Sequence, residues 1–264
     1  PHRALYANGL TLATEGLDVR STIGLHAAPM FHLADHAFTN ALAMGGGTHV
    51  MVPMFQPKLV AEVIEREKIN AAVLVPTMVQ MLADAPTTAE HDLSSLAFLL
   101  YGGSPISEAV IDRALMVMPH VQMMQAYGMT ELAPVATVLP ACYHTGEGRK
   151  LGKLRSAGRP AMIADVRIVD HNGDEVPRGT VGEISVRGPG MMLGYWNKPT
   201  ETAEAIRNGW MHTGDGGYMD EEGFVFIADR IKDMIVTGGE NVYSVEVENA
   251  VAKLQASAKA FDAA

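Results

Sequence analysis

Continuous apolar runs alternate with amphipathic stretches between residue 21 and about residue 140. Four apolar runs have the length of buried strands, and they lie at residues 48–53, 71–76, 96–103 and 121–128. Between them, three stretches carry apolar side chains at helical spacing, at residues 57–69, 77–85 and 107–118. Strands and helices that alternate at this interval predict an α/β fold, in which a parallel sheet is layered with helices.

The pattern changes after a connector rich in glycine, lysine and arginine at residues 144–160. Short runs punctuated by Asn-Gly, Pro and Gly predict strands at residues 165–170, 171–182, 182–188 and 223–230. Such strands are typical of an antiparallel unit, either a small barrel or a sandwich. A helix is predicted at residues 197–209, with Thr200 as its N-cap and Gly209 at its end.

Composition narrows the classes of function. The 264 residues are 48% hydrophobic and 19% charged, which allows an ample core. The formal net charge of −10 argues against nucleic acid and anionic membranes as partners. The uncharged runs are broken by polar residues, proline and glycine, so neither a transmembrane segment nor a signal peptide is predicted. A single cysteine, Cys142, excludes an internal disulfide and suits a cytoplasmic location.

The third apolar run ends on Gly102 and Gly103, after which a helix begins at Ser104-Pro105 or at Ser107. Paired glycines let a ligand approach the backbone, and the N-terminus of a helix offers N–H groups to an anion. Open parallel sheets bind ligands at the carboxyl ends of their strands, which is where this turn is predicted. The alternative is a tight strand-to-helix turn with an N-cap and no ligand.

The fourth apolar run continues into Gln-Ala-Tyr-Gly-Met-Thr-Glu at residues 125–131. Tyr127 can stack on a base, and Gly128 removes a side chain that would collide with that base. Thr130 can hydrogen-bond a phosphate, and Glu131 offers the oxygen ligand that Mg²⁺ prefers. These four residue types together favour a pocket for a flat ring, a phosphate and a metal ion. The alternative is a loop that enters a short helix capped by Thr130.

Three charged residues nearer the C-terminus are further candidates. Asp215 lies between glycines, where a carboxylate on a tight turn can accept hydrogen bonds from both hydroxyls of a ribose. The alternative for Asp215 is an ordinary Gly-Asp-Gly hairpin turn. Arg230 can reach a ribose or a phosphate, and Lys232 follows it on an exposed linker. The alternative for Arg230 and Lys232 is a solvated, charged connector.

His32 and His36 stand at the helical i, i+4 spacing, with Asp35 beside them. This spacing can bind zinc, but no third, distant ligand motif of the H-E-x-x-H type accompanies it. A zinc site is therefore the lesser interpretation of this segment.

The order of these motifs is more specific than any one of them. Seven segments follow one another at residues 29–32, 101–107, 125–131, 182–202, 209–215, 229–233 and 238–248. In sequence and in order they resemble the signature series of the AMP-forming acyl-CoA synthetases, which belong to the adenylate-forming enzymes. The resemblance runs from about His2 to Glu248.

The resemblance implies a ligase that activates a carboxylic acid in two steps. The carboxylate attacks the α-phosphate of ATP in the presence of Mg²⁺, and the thiol of CoA then displaces AMP from the acyl-adenylate. The implied domains are an α/β part of the adenylation domain at residues 1–148 and a small β-barrel subdomain at 149–228. A hinge and the truncated start of a small α+β C-terminal domain would occupy residues 229–264.

Site residues follow from the resemblance by position. The residues that would hold adenine come from two strand ends: Gly102, Gly103, Ser104, Pro105, Gln125, Tyr127 and Gly128. Thr130 and Glu131 would bind phosphate and Mg²⁺, and Asp215 with Arg230 would fix the ribose.

The remaining roles concern the acid and CoA. His32 would lie at the acyl pocket, where it would gate access. Lys232 would be the hinge about which the C-terminal domain rotates between the two steps. Gly238 and Gly239 would line the tunnel for the pantetheine arm of CoA.

The chain departs from the family pattern at both ends. The phosphate loop rich in Ser, Thr and Gly should lie just before His2, and the lysine that supports adenylation should lie well past Ala264. Ser244 also stands where the family usually has proline. We therefore expect the chain to be the middle of a longer enzyme and to be inactive in adenylation by itself.

The acid is less well defined by the sequence. Ala34, Ala37, Ala41 and the glycine pair are small, so a medium- to long-chain fatty acid is the first interpretation and an aryl or cinnamate-like acid the second. An amino acid comes third, because Asp35 lies two positions from where an ammonium-binding acid is expected. A truncated, non-catalytic protein that binds nucleotide or acyl ligands is the alternative of another class, and a homodimer is left open.

Overall fold

The computed structural model of the chain describes residues 1–230, 235–237 and 240–242. Within them, the strands of the first sheet are β1 (Ile23–His26), β2 (Thr48–Met51), β3 (Ala71–Leu74), β4 (Phe98–Gly102), β5 (Gln122–Gly128), β6 (Val135–Leu139) and β7 (Arg159–Pro160). Their order is β2-β1-β3-β4-β5-β6-β7. Strands β1 to β5 are parallel, which confirms the predicted parallel sheet, whereas β6 and β7 extend it in antiparallel fashion.

The α-helices of the described residues are α1 (His2–Thr14), α2 (Leu33–Gly45), α3 (Pro57–Glu67), α4 (Pro76–Asp84), α5 (Glu108–Val117), α6 (Gly146–Lys150) and α7 (Pro199–Ala205). Short 3₁₀ turns lie at Pro86–Glu90, Thr130–Leu132, Ala141–Tyr143 and Lys153–Arg155. Helices α3, α4 and α5 confirm the three helices predicted between the apolar runs. Ser107 is the N-cap of α5 and accepts a hydrogen bond from the N–H of Val110. Over the described ranges, no helix has the length and apolar character needed to cross a bilayer.

The first sheet is buried on both faces, which explains its continuous apolar runs. Leu99 and Tyr101 on β4 point to one face, into a core shared with α3, α4 and α5. Phe98 and Leu100 point to the other face, into a core shared with α1 and α2. The result is a sheet between two helical layers, whose strand ends remain accessible for a site.

A second, antiparallel sheet follows the first. Its strands are β8 (Asp165–Val169), β9 (Gly182–Arg187), β10 (Ile206–Arg207), β11 (Trp210–Met219) and β12 (Val225–Arg230). Their order is β10-β11-β9-β8, and β12 also pairs with β11 in antiparallel fashion. The predicted antiparallel unit is thus confirmed. Beyond it, Ile235–Thr237 pairs in antiparallel fashion with Glu240–Val242.

The helix predicted at residues 197–209 is wrong in its length and its cap. Helix α7 ends at Ala205, and Lys198 rather than Thr200 holds its N-cap position. Asn208 and Gly209 have φ angles of +52° and +77°, which are typical of a type I′ hairpin turn. That turn pairs β10 with β11, so the end of the predicted helix becomes a strand.

The strand predicted at residues 171–182 is also wrong. The carboxylate of Asp170 accepts hydrogen bonds from the N–H groups of Asn172 and Asp174, which folds the chain into a turn. Pairing is limited to an isolated bridge between Val169 and Glu175. The connector predicted at residues 144–160 contains α6 and ends in β7, and β7 pairs with β6 at the edge of the first sheet.

Candidate active site

A cavity of about 370 Å³ opens at the carboxyl ends of β3, β4 and β5, the edge at which open parallel sheets bind ligands. Its apolar walls come from α1, α2 and the strands, with Leu12, Ala34, Ala37, Val73, Leu100, Ala126 and Val135. Its polar side carries five of the predicted site residues: His32, Tyr127, Thr130, Glu131 and Arg230. An apolar compartment therefore adjoins ionisable groups within one cavity.

The glycines at the rim allow close approach of neighbouring backbone. A Cβ atom at Gly102 would collide with the carbonyl oxygen of Ala126, and one at Gly128 would collide with that of Pro134. Gly103 has a φ of +84°, a left-handed conformation that glycine adopts without strain. A Cβ atom at Gly103 would meet open space, so this turn exposes backbone to the cavity.

Tyr127, Asp215 and Arg230 meet between the two sheets. The hydroxyl of Tyr127 donates to Asp215 Oδ2 at 2.7 Å, and Arg230 Nε lies 3.6 Å from Asp215 Oδ1. Burial, and then the charge of Asp215, raise the pKa of the Tyr127 phenol, so it keeps its proton and donates. The carboxylate is thereby held on one oxygen by a phenol and faces a guanidinium on the other.

The alternative interpretation of Asp215, an ordinary hairpin turn, is wrong. Asp215 lies within β11 and is paired with Arg230 on β12. The pairing of β11 with β9 shifts register between His212 and Gly216, and Gly214 has a φ of +73°. The flanking glycines therefore mark a β-bulge, which re-aims the side chain of Asp215 without ending the strand.

Glu131 lies in the 3₁₀ turn Thr130–Leu132 and is fixed by a distant segment. The hydroxyl of Tyr195 donates to Glu131 Oε1 at 2.8 Å, and the N–H of Met192 donates to the carbonyl oxygen of Glu131 at 2.7 Å. Burial and the neighbouring Glu131 carboxylate raise the pKa of Tyr195 to about 12, so its phenol is a donor at neutral pH. The alternative interpretation, in which Thr130 caps a short helix, is wrong about the cap, because Met129 holds the N-cap position of this turn.

Glu131 and Thr130 suit a magnesium ion that arrives with a nucleotide. Mg²⁺ is commonly bound by one or two carboxylates together with substrate phosphates. Glu131 Oε2 accepts no hydrogen bond from the described residues, so it is available as a ligand. Across the ranges the structure covers, no group of three or more His, Cys, Asp or Glu forms a metal cage. The donor set thus fits a cation shared with phosphate oxygens.

His32 faces the cavity, whereas Asp35 is buried in the fold. His32 lines the cavity as the N-cap of α2, where its Nδ1 accepts the N–H of Ala34 at 3.3 Å. Asp35 is fully buried, and its Oδ2 lies 2.9 Å from His26 Nδ1. His26 Nε2 in turn lies 2.9 Å from His49 Nδ1. Asp35 therefore joins α2 to the edge of the sheet and does not converge with His32 on a metal.

Other predicted site residues lie away from the cavity walls or outside the described residues. Ser104 and Pro105 are exposed on the turn after Gly103. Gln125 accepts a hydrogen bond from the hydroxyl of Tyr101, at 3.3 Å, beside the cavity. Three further residues lie outside the described residues: Lys232, Gly238 and Gly239.

Some residues that shape the site had no usable signal in the sequence. Tyr195 is within the segment 182–202 that carries part of the resemblance, but its partner Glu131 is 64 positions away. His26 and His49 lie on neighbouring parallel strands, and β1 was not predicted. Only the tertiary fold brings these pairs together.

Comparisons with known proteins identify the family of the chain. Residues 1–196 match the family model of the AMP-binding enzymes. The chain is 38% identical over 252 residues to the fatty acid–[acyl-carrier-protein] ligase ScoC of Streptomyces coeruleorubidus. This alignment covers 94% of this chain and 48% of that protein. The chain is also 42% identical over 230 residues to a feruloyl-CoA synthase of an Amycolatopsis species. That alignment covers 85% of this chain and 44% of that protein.

The chain also matches a solved structure of a coenzyme A synthetase. O-succinylbenzoate coenzyme A synthetase of Bacillus subtilis, in complex with ATP and a magnesium ion, matches with a TM-score of 0.83 and 29% identity. The match covers 94% of this chain and 50% of that one.

The fold is that of an adenylate-forming enzyme. The chain belongs to the AMP-binding enzyme family, whose members among its relatives are acid ligases, and the resemblance drawn from the motifs is confirmed. It spans about half the length of the curated relatives it matches.

Proposed function

We propose that the protein activates a carboxylic acid with ATP and transfers the acyl group to the thiol of CoA. In the first step, a carboxylate oxygen bonds to the α-phosphorus of ATP as the bond to the bridging oxygen breaks, and pyrophosphate leaves. In the second step, the thiolate sulfur bonds to the acyl carbon, and AMP leaves with the electrons of the broken C–O bond. The observation that carries this proposal is the cavity in which apolar walls adjoin Thr130 and Glu131.

Nucleotide binding is assigned to the rim of the cavity. Adenine would lie along the glycine turn at Gly102 and Gly103 and against the ring of Tyr127. The ribose hydroxyls would donate to Asp215, whose carboxylate is already oriented by Tyr127 and Arg230. This preorganisation supports the assignment, because an oriented acceptor loses little freedom when the ribose binds.

The first step brings a carboxylate towards a polyanion, so negative charge must be balanced at the phosphates. Glu131 would hold Mg²⁺, and the hydroxyl of Thr130 would donate to a phosphate oxygen. Mg²⁺, when bound, neutralises charge on the phosphate oxygens. His32 lines the same cavity as Thr130, Glu131 and the apolar walls, which supports a role in admitting the acid.

A medium- to long-chain fatty acid is the proposed substrate. The apolar compartment of the cavity would be the acyl compartment: its walls are aliphatic, and small residues such as Ala34 and Ala37 leave room for a chain. Asp35, the nearest candidate to bind an ammonium group, is buried against His26, which argues against an amino acid. The similarity to a fatty acid ligase supports this choice.

An aryl acid is the second candidate, and one observation favours it. The 42% identity to a feruloyl-CoA synthase is higher than the 38% identity to the fatty acid ligase. A planar aromatic acid would also suit the apolar walls. The name of the fatty acid ligase gives a carrier protein as the acyl acceptor of that protein. A carrier protein is therefore the alternative to CoA as the acceptor of the acyl group.

A panel of acids tests the proposal. The full-length gene product would be assayed for pyrophosphate release with octanoate, palmitate, ferulate, cinnamate and leucine. The proposal expects release with the two fatty acids and formation of the acyl-CoA when CoA is added. Release with ferulate and cinnamate alone would transfer the assignment to aryl acids. Binding of ATP with no release for any acid would instead support a non-catalytic nucleotide-binding protein.

Several parts of the proposal rest on the resemblance alone. These are the domain limits at residues 148 and 228, the hinge at Lys232, and the pantetheine tunnel at Gly238 and Gly239. A cytoplasmic location is supported by the lone cysteine, Cys142, which suits a reducing compartment.

A further inference from the structure

The segment 191–196 holds Glu131 by both its side chain and its backbone, although no proposed step of the reaction uses this segment. Tyr195 binds Glu131 Oε1 at 2.8 Å, and Met192 binds the carbonyl oxygen of Glu131 at 2.7 Å. A free glutamate side chain has several rotatable bonds and would lose that freedom on binding a cation. Here the freedom has already been removed on one carboxylate oxygen.

Tyr195 is itself held by α7. Its N–H donates to Thr202 Oγ1 at 2.9 Å, and the hydroxyl of Thr202 donates to the carbonyl oxygen of Lys198 at 2.7 Å. A Cβ atom at Gly194 would lie 2.7 Å from Thr202 Cγ2, so a glycine is needed for this close approach. The rigid ring of Tyr195 therefore connects an ordered helix to the carboxylate of Glu131.

We propose that Tyr195 is a positioning residue for the cation site: it binds Glu131 Oε1 and so presents Oε2 as the ligand for the magnesium ion that arrives with ATP. This inference rests on the proposed function. The partners of a metal ligand commonly change metal affinity by about 10–100-fold when they are removed. Tyr195 lies outside the walls of the cavity, so its effect acts through Glu131.

The test compares the full-length gene product with its Tyr195→Phe variant, which removes only the hydroxyl. Tyr218→Phe is the matched control, because Tyr218 is half-buried like Tyr195 but lies on β11, where its ring stacks on Phe226. The first readout is the dissociation constant of ATP, measured once with Mg²⁺ and once with EDTA. The second is the Mg²⁺ concentration that gives half the maximal rate of pyrophosphate release.

The inference expects a specific loss of the magnesium-dependent part of binding. In Tyr195→Phe, the Mg²⁺ concentration for half-maximal rate should rise by about ten-fold or more, and ATP should bind with unchanged affinity in EDTA. Tyr218→Phe should behave as the unmodified protein does. Equal magnesium dependence in Tyr195→Phe and the unmodified protein would overturn the inference.

Two other outcomes separate this inference from its premise. ATP binding that weakens equally with Mg²⁺ and with EDTA would show a merely structural role for Tyr195 and would also overturn the inference. If the unmodified protein releases no pyrophosphate with any acid, the proposed function fails. In that case the binding measurement still decides, since a magnesium-dependent loss of ATP affinity confined to Tyr195→Phe supports the positioning role.

Discussion

Replacing Asp35 by alanine is expected to lower the free energy of unfolding by about 3 kcal/mol. Asp35 and His26 have fully buried side chains, and Asp35 Oδ2 lies 2.9 Å from His26 Nδ1. Without the carboxylate, the N–H of His26 is buried with no acceptor. The loss is about 1–3 kcal/mol for a neutral donor and about 3–5 kcal/mol if the pair is ionised.

Two further variants identify the cause of the loss. Asp35→Asn keeps an oxygen that can accept the His26 hydrogen, so it should be destabilised by only about 1 kcal/mol. Asp84→Ala removes an aspartate that pairs with Arg113 on the surface, with both side chains about 40% exposed, and should change stability little.

Urea unfolding followed by circular dichroism measures the effect as a shift of the midpoint at constant slope. The Asp35→Ala midpoint should fall well below that of Asp35→Asn. The reasoning is refuted if Asp35→Ala and Asp35→Asn lose the same stability, or if Asp35→Ala is no more damaging than Asp84→Ala.

Three further predictions address the nucleotide, pH and the acid. Tyr127→Phe removes the donor to Asp215 and should weaken ATP binding about ten-fold by calorimetry, whereas unchanged affinity would contradict the assigned ribose site. Burial lowers the pKa of His144 to about 4 from 6.5, so the unfolded chain binds more protons in this range. Stability should therefore be complete above about pH 6.5 and fall towards pH 4, and His144→Gln should flatten this slope in urea unfolding. Ala34→Phe should narrow the acyl compartment and raise the KM for palmitate about ten-fold more than that for octanoate, and an equal change would contradict the assigned walls.

Much of the fold could be predicted because burial on both faces leaves a strong local pattern. Strands β3, β4 and β5 are runs of apolar residues, and α3 to α5 carry apolar side chains at helical spacing. The wrong predictions lie where local turns, formed by residues close in sequence, break the hydrophobic pattern. Asp170 folds a predicted strand into a turn, and Asn208-Gly209 converts the end of a predicted helix into a hairpin.

The candidate site could be predicted only in part. The motifs singled out Tyr127, Glu131 and Arg230, which line one cavity because each lies at a strand end or beside one, and their roles stay predictions. Its supporting contacts could not be predicted, because they join residues far apart in sequence. Tyr127 meets Asp215 across 88 positions, and no local pattern encodes such a pair.

The most direct test is acid-dependent exchange of labelled pyrophosphate into ATP by the full-length gene product. We predict exchange that requires both a fatty acid and Mg²⁺, and a loss of at least about 100-fold in Glu131→Gln, because that variant removes the carboxylate charge that would hold Mg²⁺. A protein that binds ATP but exchanges no pyrophosphate with any fatty or aryl acid would contradict the assignment of this cavity to acid activation.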